Sequence, residues 1–369
     1  MVDLIHINAP SAVPSEVTLA AWHATFGNDG VIAFTQDSEC VSSNFQVAHK
    51  LSRSLSAIPV NSMDALAEHS LPDDKAHDAF FYVRRVEGDA ACVFVRMVLF
   101  ARELLLREVD EAPVDISRPF LGEIDRALVD LMTCASGKNV GSAPIVEAWE
   151  TRGSREDVLI RWLRGHQIFA ALTQGLILSF KSIANAIRSG QGQEVRRWAD
   201  LTVSLLRGSG ASFVLTGDFS VKDYNDRIRP SMMPPAVPTC LSGLMSIDHR
   251  FLVQTIRDMK PALKGLREQD KARHDRIHEE LKTVYDRHVF VCERFVGERP
   301  SLLTAGSTEK SGPELIKQFK TLRVKPFESQ AHTARLHAES RSHLGINYSS
   351  SGPAPRPEDT EFKRQPHDL

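Results

Sequence analysis

The chain has 369 residues, 42% of them hydrophobic, and a formal net charge of −2. That is enough apolar material for one large core or two smaller ones, and a near-neutral balance excludes a whole-chain field that would gather nucleic acid or an anionic membrane. Met1-Val2-Asp3-Leu4-Ile5-His6 lacks the basic and apolar segments of a leader, no run approaches the roughly 18 apolar residues of a membrane span, and the five cysteines (Cys40, Cys92, Cys134, Cys240, Cys292) are too scattered for a disulfide framework, so a cytoplasmic protein is expected.

Residues 1–150 read as a mostly helical N-terminal part. Ser15 is placed to cap a short helix carrying Leu19, Trp22 and Phe26, which Gly27-Asn28-Asp29-Gly30 stops. Phe80 to Val86 is either a short strand or the start of a helix, because periodicity does not arbitrate over so few residues. Asp89 suits the N-cap of a long apolar helix through Phe94, Met97, Val98, Ala101 and Leu105, and another follows near Ile124, Leu128 and Met132.

Residues 151–298 read as a helical core. Ser154 and Asp157 resemble a capping box for a helix running towards Ser189, apolar on most sides from Ile168 to Leu178 and so expected deep in the protein. Gly190 to Gly192 ends it, and the next helix carries Trp198, Leu201 and Leu205. Between Phe219 and Ser246 the prolines Pro230, Pro234, Pro235 and Pro238 predict a defined loop, a natural pocket wall. Ser246 or Asp248 then caps a helix with His249, Leu252, Ile256 and Met259, ended or kinked by Pro261. From Leu263 a helical pattern runs to about Phe295, polar at first and then apolar on one face. Residues 299–345 form a C-terminal extension with a short docked helix over Leu315 to Leu322, and the polar, Pro-rich 346–369 read as a disordered tail.

Ile277, Leu281, Val284, His288, Val291 and Phe295 recur at steps of four and three, which gathers them into one stripe of a helix. His288 therefore faces inward, with Cys292 one turn on, Cβ atoms about 6 Å apart on nearly the same face. An imidazole and a thiol so placed suit an iron ligand and a covalent tether for a porphyrin, although an inward His or Cys is more often inert core. His249 precedes His288 with 38 residues between them.

Arg287-His288, Val291 and the closing Phe295-Val296-Gly297 resemble the segment of tryptophan 2,3-dioxygenases that carries the proximal haem histidine. The whole pattern of His249, 38 residues, His288, three residues and Cys292 is similar to the haem motif of the peroxide-using, histidine-ligated haem-dependent aromatic oxygenases. The resemblance implies a mainly α fold and a haem held by His288 and His249 as iron ligands, with one thioether to Cys292. It further implies a catalytic role for His249 in proton transfer, and ring hydroxylation of a methylated tyrosine (3-methyl-L-tyrosine to 3-hydroxy-5-methyl-L-tyrosine) by hydrogen peroxide in antibiotic assembly. A homodimer is a family-level expectation.

The same comparison places a carboxylate-binding arginine near Arg229, with Arg227, Tyr224 and Ser231 as pocket neighbours; the fork of an arginine matches both carboxylate oxygens. The chain lacks the His-Gln-x-x-Glu-Leu-Trp and Gly-Gly-Ser-Ser-Gly runs of tryptophan dioxygenases, which argues against indole oxygenation with O2. It also lacks Gly-x-Gly-x-x-Gly and a cysteine-rich cluster, consistent with peroxide supplying the oxidising equivalents. Two rivals remain at this level. One is a zinc protein using His274, His278, His288 and Cys292, which needs a helix break because His278 and His288 lie about 15 Å apart on a straight helix. The other is a helical interaction protein whose stripe is simply core.

Overall fold

The computed structural model describes residues 3–26, 72–135, 153–155, 157–237, 240–241, 246–297 and 311–327. Its architecture follows from one helix, α5 (Val158–Arg188), whose middle is too apolar to face water on any side: Ile168, Ala171, Leu172, Ile177 and Phe180 are all fully buried. Around it lie α3 (Ala90–Glu111), α4 (Leu121–Ala135), α6 (Gly192–Thr216) and α7 (Ile247–Asp258), with α9 (Lys271–Phe295) packed on the far side against α6, so the expected mainly α class is what forms. By length and composition α5 would also pass for a membrane span, contrary to the sequence expectation, but 78% of its apolar window is buried by the rest of the fold.

Of two shorter helices, α1 (Glu16–Phe26) packs on α3 and α4, and α2 (Pro72–Phe80) leads into the strand Val83–Arg85. Ser15 Oγ accepts from the Thr18 amide at 3.2 Å, as an N-cap should, and Leu19 and Trp22 are buried. The ambiguous stretch before α3 resolves as a strand. Ile5–Ile7 (β1) and Val83–Arg85 (β2) pair in parallel with Ile5 opposite Val83, and the alternation of buried Val83 and Arg85 with exposed Arg84 is that of a two-faced strand. Asp89 caps α3 through the Cys92 amide at 2.7 Å.

Three expectations are corrected. The cap of α5 is Asp157, which accepts from the Leu159 amide at 3.2 Å, rather than a box begun by Ser154. The proline segment is less loop-like than its composition implies: residues 221–231 form consecutive helical turns, with a π-helical Tyr224–Ile228, and Pro230 sits in the first turn of Arg229–Ser231 where its missing N–H costs nothing. The long C-terminal helical pattern is also interrupted. α8 (Lys260–Gln269) ends at Asp270, whose backbone leaves the helical region and whose carboxylate accepts from the Arg273 amide at 3.1 Å to start α9. The last helix, α10 (Gly312–Val324), opens with a capping box of Ser311 and Glu314. The expected stop at 27–30, the boundary near 150, the turn-rich 300–310 and the tail at 346–369 lie outside the described residues.

Close helix approach registers α9 against α6. A Cβ at Gly217 would stand 2.9 Å from the Phe295 ring and 3.0 Å from Val291, so only glycine lets the end of α6 lie against the stripe. Arg287 ties α9 to α4 through Glu123 at 2.5 and 3.1 Å, while Arg294 donates to the Gly217 and Phe219 carbonyls at 2.7 and 2.6 Å. Of the Arg287-His288 pair, then, the arginine grips the scaffold and the histidine is left for the interior.

Candidate active site

The α9 stripe is sealed at its ends and open in its middle. Ile277, Leu281 and Phe295 are buried, whereas Val284, His288, Val291 and Cys292 keep partial accessibility because they line a cavity of about 190 Å³. Its other walls come from α5, α6, the 224–241 segment, α7 and α10, and they are largely aliphatic and aromatic.

His288 and Cys292 both line this cavity, and His249, from the first turn of α7, lines it too. The His288 ring stacks on Phe213 with centroids 4.3 Å apart and planes 13° apart, and its nitrogens have no hydrogen-bond partner among the described residues. Burial, reinforced by the Arg323 guanidinium, pushes its pKa down to about 4, so it is a neutral imidazole with a lone pair to give. His249 is pushed down to about 3 by the same burial and then by Arg323. Arg323 Nη1 stands 3.2 Å from His249 Nε2 and can only donate, so that nitrogen is the acceptor; the same Nη1 donates to the Tyr285 hydroxyl at 3.0 Å. Burial, with Glu293 nearby, raises the Cys292 thiol to about 12.

The orientation of His249 has a support that the sequence did not disclose. Its neighbour Asp248, 1% exposed, accepts from Arg85 Nη2 at 2.6 Å and Nη1 at 3.2 Å and from Gln174 Nε2 at 3.1 Å. Arg85 in turn holds Asp78 at 2.8 and 3.2 Å and the Asn8 carbonyl at 3.1 Å. Strand β2, helix α5 and the N-terminal segment therefore meet at the residue that precedes His249.

The proline-segment residues separate cleanly. Arg229 lines the cavity, and its Nη1 is buried with no hydrogen-bond partner among the described residues. Tyr224 lines it as well, its ring stacked on Phe295 at 4.8 Å. Arg227 instead lies half exposed on the outside, paired with Asp157 at 3.0 Å, and Ser231 spends its hydroxyl on the Ile228 carbonyl at 2.7 Å; neither lines the cavity. The zinc arrangement is not assembled: α9 runs unbroken through His274, His278 and His288, and no group of three or more His, Cys, Asp or Glu among the described residues is placed to hold a metal ion. His274 is buried rather than on a solvated face, and both it and His278 lie 5.9 Å from the Phe327 ring.

The donor set fits a haem. Among the described residues no carboxylate lines the cavity, which disfavours a hard cation, while three neutral imidazoles, apolar walls and two arginines suit a flat macrocycle or aromatic ligand carrying carboxylates. Sequence reasoning missed two lining residues, His166 on α5 and Arg323 on α10. A polar ring inside the most apolar helix is a readable signal for the first. Nothing in the local pattern of α10 marks the second.

A solved structure described as reduced SfmD soaked with sodium hydrosulfite shares the fold with a TM-score of 0.67 at 21% identity, covering 79% of this chain and 98% of that one. The 3-methyl-L-tyrosine peroxygenase of Streptomyces lavendulae is 33% identical over 265 residues, 70% of this chain and 72% of the relative. The model of the family described as SfmD 3-methyl-L-tyrosine peroxygenase matches residues 8–280, a span that includes Arg229 and His249 and stops short of His288 and Cys292. On a match over most of its length, this chain belongs to the SfmD 3-methyl-L-tyrosine peroxygenase family.

Proposed function

We propose that the chain is a haem-dependent peroxygenase that hydroxylates the ring of 3-methyl-L-tyrosine, or a close tyrosine derivative, with hydrogen peroxide. The observation that carries the reading is the convergence of His288, His249 and Cys292 on one apolar cavity in a member of a peroxygenase family. A haem held there supplies the iron at which peroxide is activated for oxygen transfer. His288 would hold the iron: it is neutral, has no hydrogen-bond partner among the described residues, and is oriented by its stack on Phe213. Cys292, one turn along the same face, would be the thioether tether, its thiol held un-ionised by burial.

His249 is the second, exchangeable ligand. Its Nε2 accepts from Arg323, so to bind the iron of a haem through that atom it would have to give up that hydrogen bond. Its catalytic role would be to take a proton at Nε2 once Arg323 releases that nitrogen, burial and Arg323 keeping the ring neutral until then. Arg229 Nη1, buried without a partner, receives the substrate carboxylate, and the apolar walls exclude water from the reacting ring. The dispersed free thiols Cys92, Cys134, Cys240 and Cys292 support a cytoplasmic setting.

Purified protein from haem-replete cells should show a Soret band, retain porphyrin through acid–acetone extraction, and convert 3-methyl-L-tyrosine with peroxide and no reductant. Cys292→Ala should release the porphyrin on extraction while keeping axial ligation, and His288→Ala should lose that ligation. Colourless protein, native ligation in His288→Ala, or turnover that requires a reductase and O2 would refute the reading.

A further inference from the structure

Among the described residues three imidazoles line the cavity, and the proposed reaction uses two. The third, His166, is held in a way that fixes its chemistry. Its Nδ1 lies 2.7 Å from the carbonyl oxygen of Trp162 one turn earlier. A carbonyl only accepts, so Nδ1 carries the proton and Nε2 presents a bare lone pair. The ring cannot easily turn to hide that atom: it stacks on Phe81 at 4.0 Å and 20°, and Trp162 covers it at 4.5 Å and 56°. Nε2 has no protein partner among the described residues, and the residue lines the cavity.

We infer that His166 Nε2 accepts the hydrogen bond of the substrate's phenolic hydroxyl, and is therefore the group by which this cavity distinguishes a tyrosine skeleton from a phenylalanine skeleton. The assignment rests on the reading of the cavity as a tyrosine-derivative site. Burial keeps the ring neutral down to about pH 3, so the acceptor persists across the working range. The indole Nε1–H of Trp162, against the same ring, is buried with no hydrogen-bond partner, and a hydroxyl is the small group that donates to one neighbour and accepts from another. The remaining imidazoles do not compete for it: His249 Nε2 already accepts from Arg323, and His288 is assigned to the cofactor. Arg229 at the amino-acid end and His166 at the phenol end then give the cavity two polar anchors of opposite character in largely apolar walls.

The test is calorimetric binding of two ligands to the full-length haem-loaded protein: 3-methyl-L-tyrosine and 3-methyl-L-phenylalanine, which lacks only the hydroxyl. Wild type should prefer the hydroxylated ligand by about 10- to 100-fold, because the analogue leaves a buried acceptor unpaired. His166→Phe, which preserves the aromatic stack, should bring the two affinities within about twofold, by weakening the tyrosine derivative and sparing the analogue. His166→Gln, carrying an amide oxygen, should restore part of the preference and covers the case in which the phenylalanine variant fails to fold. Equal affinities in wild type, or a preference that persists in both variants, would overturn the assignment alone. Failure of either ligand to bind wild type would overturn the tyrosine reading and the assignment together.

Discussion

Asp248→Asn changes one atom at the junction behind His249, and its cost can be worked from the contacts. The carboxylate is 1% exposed and takes three hydrogen bonds, two from Arg85 at 2.6 and 3.2 Å and one from Gln174 at 3.1 Å. An amide nitrogen in place of one oxygen turns a donor towards the guanidinium donors and strips the pair of its charge. Breaking a buried ion pair costs about 3–5 kcal/mol. Arg85 keeps Asp78 at 2.8 Å, which compensates part of the lost charge, so we expect the lower end, about 3 kcal/mol. Urea unfolding followed by tryptophan fluorescence should show that loss as a lowered midpoint at unchanged slope. Because Asp248 immediately precedes His249, the electronic spectrum of the haem-loaded variant should also change while that of a distant destabilised variant does not. Arg85→Met combined with Asp248→Asn should cost less than the sum of the two single changes, since the second removes a charge that the first left orphaned. A stability within about 0.5 kcal/mol of wild type, or strict additivity of the pair, would refute the view that this junction fixes the start of α7.

Arg229→Gln should weaken binding of 3-methyl-L-tyrosine by about 10- to 150-fold, the worth of a charge-assisted hydrogen bond, and leave affinity for the decarboxylated amine unchanged; equal losses for both ligands would place the carboxylate elsewhere. Arg323→Gln removes the cation that holds His249 Nε2 and helps to depress both imidazoles, so the spectrum should show a larger doubly histidine-ligated fraction at neutral pH, and an unchanged spectrum would exclude the restraint. In the haem-free chain, His166, His249 and His288 have folded pKa values of about 3, 3 and 4, below the ordinary 6.5, so the unfolded state takes up protons first. Their contribution to stability is therefore fully present above about pH 6.5 and falls with acidification towards pH 4, by up to about 1.4 kcal/mol per pH unit for each ring; a flat profile across that window would contradict their burial as neutral groups. Gly208→Ala would set a methyl 2.5 Å from the Ala127 Cβ and should cost about 1–3 kcal/mol in urea unfolding with little change in ligand affinity.

Much of this was legible because helical period and capping chemistry are local. The stripe from Ile277 to Phe295, the buried middle of α5 and the Asp89 cap needed only neighbours in sequence to be placed. The failures have physical causes of two kinds. Asp270 splits the C-terminal pattern through one carboxylate on one amide, a local signal that the surrounding helix formers masked. Arg227 and Arg229 are indistinguishable as residues two apart in a basic, proline-bounded run, and only the π-helical turn at Tyr224–Ile228 decides that one reaches Asp157 outside while the other reaches the cavity. Asp248, Arg85 and Gln174 are brought together from 163 and 74 residues apart, a meeting no local pattern encodes. His166 was readable in principle, as the odd ring in an oily helix.

The position of Arg323 carries a consequence for how the protein divides its labour. The helix bearing it is tied to α9 by Arg323 on the Tyr285 hydroxyl at 3.0 Å and by two exposed pairs of small individual worth, Lys317 with Glu293 at 2.8 Å and Lys320 with Asp286 at 2.5 Å, together with Leu315 and Ile316 on its inner side. Peeling that helix away would uncouple His249 and unroof the chamber while leaving the tightly interlocked α4, α5 and α6 intact. If Arg323 restrains His249 as proposed, raised salt, which screens the exposed pairs of this helix, should enlarge the fraction in which His249 is released, a shift that the haem spectrum would read.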